Sequence, residues 1–208
     1  FVAGASLADN LRRFLAFTLV TSLGWDLGRA TTTTILIVVT GPAVLATLPA
    51  AQRPHFEGGL STAFGCTLEG DVPPDKVVRL AEQLMESGCD EVGLADTTGY
   101  ANPAQVKDLV RRIHAAVGAS ALTGLHLHNT RGLGLANVLA GLDVGITTFD
   151  SSLGGLGGCP FAPGASGNIV TEDLVFMLEA MGIATDIDIA RLLTVRDILR
   201  AALPGEPL

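Results

Sequence analysis

Residues 122–150 read LTGLHLHNTRGLGLANVLAGLDVGITTFD, and this stretch decides the fold. Its alternating apolar and β-branched residues predict one strand over residues 122–128 and a second strand over residues 146–150. A helix is predicted between them, over residues 132–142. A strand, a helix and a strand joined by short connections predict a βαβ unit with parallel strands and a right-handed crossover.

The same alternation continues on both sides of this unit. Four such units predict an α/β fold with a parallel sheet of the TIM (β/α)8 barrel type. A closed barrel typically needs about 250 residues, so we expect an incomplete barrel of C-terminal βα units only. A doubly wound sheet is the alternative, but no Gly-x-Gly-x-x-Gly motif opens the first clear unit. The other predicted elements are strands over residues 60–66 and 90–95, and helices that begin at Pro73-Pro74 with Asp71 as cap, at Asn102-Pro103, near Thr171 and after Asp188.

The first 58 residues do not share this pattern. Residues 7–19 predict a helix, and four threonines before residues 35–39 favour a strand there. We therefore divide the chain into a divergent N-terminal segment of uncertain fold, residues 1–58, and a barrel domain, residues 59–203.

Composition excludes some classes of function. The chain has 208 residues and a formal net charge of −8, which argues against a protein that binds nucleic acid or an anionic membrane. Its most apolar stretch, residues 35–48, is interrupted by Gly41 and Pro42 and is short for a bilayer span. Three scattered cysteines do not suit a disulfide framework, so we expect an intracellular protein.

His126 and His128 are the first candidates for chemistry. Residues at positions i and i+2 of a strand leave the same face, so both imidazoles can point at one ion. They lie at the C-terminal end of their strand, where barrel enzymes place their sites. The pair therefore predicts a divalent-metal site, and the alternative is a structural pair of hydrogen-bonded histidines.

A glycine-rich loop, residues 154–168, follows the strand at residues 146–150. A plain turn between a strand and a helix takes only a few residues, so the length of the loop indicates a function. At its end Asn168 offers an amide oxygen, which together with two imidazoles suits Mg²⁺ or Mn²⁺. Within it Cys159 is a candidate proton donor or nucleophile, or else an inert small residue.

Asp96 ends a predicted strand at the same edge of the sheet. Three roles are open for its carboxylate: a catalytic base, a partner of one of the histidines, or the cap of the next turn.

These motifs resemble the hydroxymethylglutaryl-CoA lyase family. Residues 153–173, LGGLGGCPFAPGASGNIVTED, are similar to the family's characteristic loop, and residues 125–130, LHLHNT, are similar to its His-x-His metal strand. Residues 95–99, ADTTG, and the Phe64-Gly65-Cys66 run also fit the family pattern. Isopropylmalate and homocitrate synthases share the barrel and the histidine strand, but their loops lack the Gly-Gly-Cys-Pro run.

The resemblance implies a TIM-barrel lyase that cleaves 3-hydroxy-3-methylglutaryl-CoA to acetyl-CoA and acetoacetate in leucine degradation. It implies that His126, His128 and Asn168 ligate Mg²⁺ or Mn²⁺, that Cys159 transfers a proton, and that Asp96 assists near the metal. It also implies an acyl-CoA substrate and a cytoplasmic enzyme, or one of the mitochondrial matrix in a eukaryote, and leaves a homo-oligomer open. The alternatives are an inactive relative that keeps a metal or acyl-CoA pocket, and a related aldolase or acyl-CoA condensing enzyme.

The chain departs from the family pattern near its start. The first strand of the family carries an Arg-Asp pair, in which Asp ligates the metal and Arg stabilises the enolate. Here Arg12, Arg13 and Asp26 lie in unlike surroundings, so we expect the chain to begin after that strand. Gly59 replaces the family's tyrosine, and Thr67-Leu68 replaces Pro-Tyr or Pro-Phe. Loss of the Arg-Asp pair would slow the reaction on the order of a thousandfold or more.

Overall fold

A computed structural model describes residues 6–17, 32, 47–49, 53–158 and 167–205. The backbone divides into two compact units, Phe1–Pro54 and His55–Leu208. In the first unit the described helix is α1, Leu7–Phe17, and the Ser6 hydroxyl accepts a hydrogen bond from the Asp9 backbone N–H at 3.1 Å. The strand predicted over residues 35–39 lies outside the described residues.

The second unit alternates strands and helices. Its described strands form a four-stranded sheet in the order β1-β2-β3-β4, and every neighbouring pair is parallel. The order along the chain is therefore the order in the sheet, as expected for successive βα units. The elements are β1 Glu57–Leu60, α2 Pro74–Glu86, β2 Glu91–Asp96, α3 Pro103–Val117, β3 Gly124–Leu127, α4 Gly134–Leu142, β4 Thr148–Asp150, α5 Thr171–Ala180 and α6 Ile189–Ala202, with short 3-10 helices at Ala119–Ala121 and Leu153–Gly155.

The two faces of the sheet differ in character. On one face, apolar side chains of β2 and β3 pack under the helices and are almost completely buried. Each fully buried leucine or valine contributes about 1.5–3 kcal/mol to folding, so this face holds the unit together. The residues of the core include Val92, Leu94, Leu125 and Leu127 from the strands, and Val77, Ala81, Val106, Val110, Ile113 and Val138 from the helices.

The opposite face of the sheet is polar and lines an open groove of about 270 Å³. Because strand residues alternate between faces, the positions on this side are those between the buried apolar ones. The groove ends at the C-terminal edge of β3 and β4. Its polar lining residues are Glu57, Ser61, Glu91, Thr123, His126, Thr148 and Asp150.

The first strand lies earlier than the sequence pattern predicts. The prediction of a strand over residues 60–66 is wrong, since β1 ends at Leu60 and residues 61–64 form a turn. β1 pairs with Glu91–Leu94, and the ladder runs through Gly58 and Gly59. A Cβ on Gly58 would lie 2.8 Å from Cδ1 of Leu84, so glycine lets the Leu84 side chain of α2 pack closely on this strand. Glycine has low strand propensity, and the sequence pattern therefore conceals the strand.

The predicted helix starts at Asn102-Pro103 and after Asp188 are confirmed, and each has a side-chain cap. Asn102 forms a capping box with Gln105 at the start of α3, and the Asp188 carboxylate accepts a hydrogen bond from the Arg191 N–H at the start of α6. The prediction that Asp71 caps α2 is wrong. The residue before α2 is Pro73, which has no side-chain cap, and Pro74 begins the helix.

None of the described helices is both long enough and apolar enough to span a bilayer.

The capping box yields a stability prediction. Replacing Asn102 with alanine should lower the free energy of unfolding by about 1 kcal/mol, because the Ala104 and Gln105 N–H groups lose their acceptor. The matched control is Asp71→Ala, which removes an exposed carboxylate that caps no helix and should change stability by less than about 0.5 kcal/mol. Urea unfolding followed by circular dichroism measures both changes, and equal losses would contradict the assignment.

Candidate metal centre

Strand β3 brings the two histidines together as predicted. The Nε2 atoms of His126 and His128 are 3.2 Å apart, and their ring centroids are 5.1 Å apart with the planes inclined at 60°. The alternate residues Leu125 and Leu127 are buried on the helix side. Both imidazoles therefore leave the same face of the strand, and their Nε2 atoms lie within hydrogen-bond distance of each other. This contact is the structural histidine pair considered as the alternative, and it also brings both nitrogens close enough to share one ion.

Asp150 orients the first histidine from the neighbouring strand. Its Cα is paired with that of His126 in the β3–β4 ladder, and its Oδ2 lies 3.2 Å from Nδ1 of His126. A proton on Nδ1 that is shared with this carboxylate leaves Nε2 with a lone pair for a ligand. Carboxylates commonly orient metal-binding histidines in this way.

Asn168 reaches the site through backbone pairing. Residues 167–169 run beside the end of β3, where Ile169 N donates to Leu127 O and Asn129 N donates to Gly167 O, each at 3.1 Å. This pairing makes Asn168 the antiparallel bridge partner of His128. The residues are 40 positions apart in the chain (168 − 128), and the fold brings them side by side.

The side chain of Asn168 is held with one end unsatisfied. Its Nδ2 donates to Leu156 O at 2.8 Å, whereas its Oδ1 is buried without a hydrogen-bond partner in the described part of the chain. A buried amide oxygen without a partner costs about 1–3 kcal/mol, so a ligand at this atom would be favourable. A Cβ on Gly157 would lie 2.7 Å from this Nδ2, so glycine is required there.

The donor set fits a hard divalent cation that keeps part of its water shell. Two imidazole nitrogens and one amide oxygen leave open positions for water or substrate in octahedral coordination. Among the described residues no group of three or more His, Cys, Asp or Glu side chains gathers around one point. A closed structural zinc site is therefore a poor fit to the described residues, since such a site takes four nitrogen or sulfur ligands.

Asp96 lies at the same edge of the sheet but on the other face of its strand. Its Cα pairs with that of Leu127, whereas Ala95 pairs with His126. The carboxylate is almost completely buried and accepts hydrogen bonds from Tyr100 N at 2.8 Å and from Ala101 N at 3.1 Å. In this geometry the side chain caps the turn before α3, which is one of the three roles considered.

Burial is the main influence on the acidity of Asp96. It raises the pKa of this carboxyl above its ordinary value, because water no longer solvates the charged form. The hydrogen bonds from Ala101 and Tyr100, and the charges of His128 and Arg131, offset part of this rise.

Cys159 lies outside the described residues, so its predicted role in proton transfer stays a prediction.

Two features near the site were missed in the sequence. Asp150 closes the strand that follows the histidine strand, and its position at a neighbouring strand end could have identified it as a histidine partner. Arg131 stacks on the ring of Tyr100, with Cζ 4.2 Å from the centroid, and donates to Gly99 O at 2.7 Å. This contact joins the loops after β2 and β3, and no local pattern in the sequence indicates it.

Comparison with known proteins identifies the family. The profile of the HMGL-like family matches residues 43–199, which is most of the chain. The chain belongs to the HMGL-like family.

Relatives of this HMGL-like chain include two curated lyases. A hydroxymethylglutaryl-CoA lyase of Bacillus subtilis is 50% identical over 149 residues, which cover 72% of this chain and 49% of that protein. An (R)-citramalyl-CoA lyase of Chloroflexus aurantiacus is 48% identical over 153 residues, which cover 74% of this chain and 48% of that protein. The chain thus spans about half the length of the curated relatives that it matches.

Solved structures agree with the fold prediction. An HMG-CoA lyase from Acinetobacter baumannii, in complex with coenzyme A and 3-methylmalate, is 49% identical with a TM-score of 0.70 and covers 76% of this chain and 51% of that one. The Bacillus subtilis HMG-CoA lyase gives 46% identity and a TM-score of 0.71, and covers 84% and 56%. The predicted family and the predicted incomplete α/β barrel of the TIM type are confirmed: the described sheet has half of the strands of a (β/α)8 barrel.

The raised pKa of Asp96 predicts a dependence of stability on pH. Below the ordinary carboxyl pKa of about 4 the group is protonated in both folded and unfolded chains. As the pH rises through the raised folded value, the buried group must ionise and wild-type stability falls. Asp96→Asn remains neutral and keeps an oxygen for Tyr100 N. The unfolding free energy of this variant relative to wild type, measured in urea from pH 4 to 7, should therefore rise with pH. A difference that falls as pH rises would contradict the assigned direction.

Proposed function

We propose that this chain carries the metal-binding part of a divalent-metal-dependent lyase. Its reaction would be the cleavage of 3-hydroxy-3-methylglutaryl-CoA to acetyl-CoA and acetoacetate. The observation that supports this most strongly is the pair of histidine Nε2 atoms 3.2 Å apart, beside a buried Asn168 Oδ1 without a hydrogen-bond partner in the described residues.

His126, His128 and Asn168 would hold Mg²⁺ or Mn²⁺. When bound, such an ion supplies Lewis acidity toward the hydroxyl and carbonyl oxygens of a substrate. Asp150 keeps the ring of His126 in place through Nδ1, and Leu156 O keeps the amide of Asn168 in place through Nδ2. These contacts set the donor atoms before ligand binding, which lowers the cost of organising the site.

The proposed reaction cleaves one carbon–carbon bond of the substrate and gives two products. A general base takes the proton of the tertiary hydroxyl, the C–O bond becomes the ketone C=O, and the electron pair of the broken carbon–carbon bond becomes the enolate of acetyl-CoA. A proton delivered to the enolate carbon completes acetyl-CoA, and the fragment that carries the new ketone leaves as acetoacetate. We assign proton delivery to Cys159, because a thiol in the glycine-rich sequence that leads to Asn168 is a suitable proton donor.

Asp96 contributes to this function through the turn that it organises. Its hydrogen bonds to Tyr100 and Ala101 hold the loop that carries Arg131's stacking partner. The charge of His128 also acts on Asp96, so its carboxylate lies within electrostatic range of the proposed metal ligands. We propose that Asp96 assists the reaction near the metal.

The substrate class follows from the relatives. Curated relatives act on hydroxymethylglutaryl-CoA or (R)-citramalyl-CoA by name, and one solved relative holds coenzyme A. We therefore propose an acyl-CoA substrate for the complete protein, in the cytoplasm or, in a eukaryote, in the mitochondrial matrix. This proposal agrees with relatives that include a bacterial enzyme of Bacillus subtilis and a mitochondrial enzyme of Arabidopsis thaliana.

Citramalyl-CoA cleavage is the second candidate function. The 48% identity to the Chloroflexus enzyme, nearly equal to the 50% identity to the Bacillus enzyme, favours it over other acyl-CoA reactions. Incubation of the protein with Mn²⁺ and each CoA ester, followed by assay of acetyl-CoA and acetoacetate, separates the two. Acetoacetate forms only from the first substrate. No product from either ester would contradict both assignments and favour an inactive relative that keeps the pocket.

The ligand assignment predicts a loss of metal response. At a metal concentration about 100-fold above Kd, binding stabilises the folded state by about 2.7 kcal/mol, or roughly 5–10 °C in Tm. His126→Ala should abolish this rise, because one imidazole and its carboxylate partner no longer define the site. The matched control is His55→Ala, since His55 is exposed and its Nε2 lies 4.0 Å from Glu91. Thermal unfolding with and without Mn²⁺ measures both variants, and an unchanged response of His126→Ala would remove the assignment.

The role assigned to Cys159 predicts a separation of two effects. Cys159→Ala should lower kcat by a factor of about 100 to 10,000, the usual contribution of a proton donor, because acetyl-CoA formation loses that donor. The apparent Kd for Mn²⁺, obtained from the metal-dependent rise in Tm, should change by no more than about a factor of two, since no metal ligand has changed. Equal losses of turnover and metal affinity would indicate a structural cysteine instead.

A further inference from the structure

A partly buried ion pair joins helices α5 and α6. Glu172 lies in the first turn of α5, and its side chain is 4% exposed. Arg196 lies in α6, with its side chain 26% exposed and its Nε 3.3 Å from Glu172 Oε1. This is an ion-pair distance, but the Nε–H makes no hydrogen bond with the described residues, so the contact acts through charge. The other ion pair shown on α6, Arg200 with Asp197, is exposed, so the pair with a buried Glu172 differs from a solvated surface pair.

The carboxylate of Glu172 also holds the start of the loop. The backbone N–H of Gly154 donates to Oε2 at 3.1 Å and to Oε1 at 3.3 Å. Gly154 has φ 63° and ψ 9°, a left-handed conformation that glycine adopts readily. Glu172 thus fixes the first turn of the loop from a position 18 residues later in the chain.

The same turn carries the acceptor that holds Asn168. Leu156 O accepts hydrogen bonds from Asn168 Nδ2 at 2.8 Å and from Ser152 Oγ at 2.5 Å. Only one residue separates Leu156 from the Gly154 N–H that Glu172 binds. Displacement of Gly154 would therefore move Leu156 and release the amide of Asn168.

We propose that Arg196 is a positioning residue for the metal centre. Its guanidinium balances the charge of Glu172, and the Glu172 carboxylate holds Gly154. The turn that begins at Gly154 carries Leu156, whose carbonyl oxygen orients Asn168. The link to metal binding rests on the proposed function, whereas the link from Arg196 to the loop does not.

The need for Arg196 follows from the cost of a buried carboxylate. Glu172 receives the Gly154 N–H and lies at the N-terminus of α5, where the helix dipole favours a negative charge. Removing a cation from such a pair leaves an uncompensated charge that is strongly unfavourable in the interior. The carboxylate then turns toward water and releases Gly154.

The direct test measures the mobility of the loop in the full chain. Arg196→Met keeps an unbranched apolar stem of similar length but removes the charge. Hydrogen exchange of a peptide spanning residues 152–158, followed by mass spectrometry, should become at least 10-fold faster. The matched control is Arg200→Met on the same helix, because the Asp197 partner of Arg200 has a side chain that is 78% exposed. In this control the exchange rate of residues 152–158 should stay within twofold of wild type. Exchange in Arg196→Met within twofold of wild type would overturn the proposal.

A double variant separates charge balance from simple packing. Glu172→Gln keeps an oxygen that can accept from Gly154 but carries no charge. In the Arg196→Met background it should restore exchange to within about threefold of wild type. A double variant that exchanges as fast as Arg196→Met would show that Arg196 acts by packing α6 against α5, and would overturn the charge mechanism.

Titration with Mn²⁺ then tests the link to Asn168. Arg196→Met should weaken the apparent Mn²⁺ affinity about 10-fold, whereas Arg200→Met should not change it. Faster loop exchange with unchanged affinity would overturn the step from Leu156 to the metal centre. If wild type itself binds no Mn²⁺, the proposed function fails along with that step, and the exchange experiment still decides whether Arg196 holds the loop.

Discussion

The backbone pairing between the end of β3 and residues 167–169 is the constraint on which the candidate site depends. Two backbone hydrogen bonds of 3.1 Å tie these segments together, and they make His128 and Asn168 bridge partners. The histidines are placed by the strand itself, but the amide is placed only by this pairing. Without it Asn168 would be one residue of a long loop, with no defined distance to the imidazoles.

The loops after β2, β3 and β4 are stabilised in a similar way. In each, a polar side chain accepts a hydrogen bond from a backbone N–H and thereby holds the turn between a strand and a helix. Asp96 does this after β2, the amide oxygen of Asn129 binds Gly134 N at 3.0 Å after β3, and Glu172 binds Gly154 N after β4. Two of these groups are buried acids, so the C-terminal edge combines ordered backbone with buried charge. Such an arrangement is stable only when each charge has donors or a cation around it.

The division of the sheet into an apolar and a polar face explains why His126 faces the groove. Leu125 and Leu127 anchor β3 in the core, so the intervening histidine must face the groove. The parallel register then sets Asp150 beside His126. The alternation of side chains between the two faces of the sheet therefore accounts both for the stability of the unit and for the direction of the His126 side chain.

Local patterns predicted much of this architecture. The helices α2 to α6, three of the four described strands and the shared face of the histidines follow from periodicity and capping residues. The first strand did not, because Gly58 and Gly59 have no side chains to produce a pattern, and the pairing with β2 alone defines it. The capping role assigned to Asp71 also failed, since Pro74 can begin a helix without a side-chain cap.

The sequence by itself determined the order of the βα units, the family and the direction of the two imidazoles. Each of these depends on residues that are neighbours in the chain, where spacing and chemistry are directly readable. Only the tertiary structure decided that Asp96 caps a turn, that Asp150 holds His126, and that Arg196 lies beside Glu172. These contacts join segments that are distant in sequence, and their geometry is set by strand register and helix packing, which no local pattern encodes.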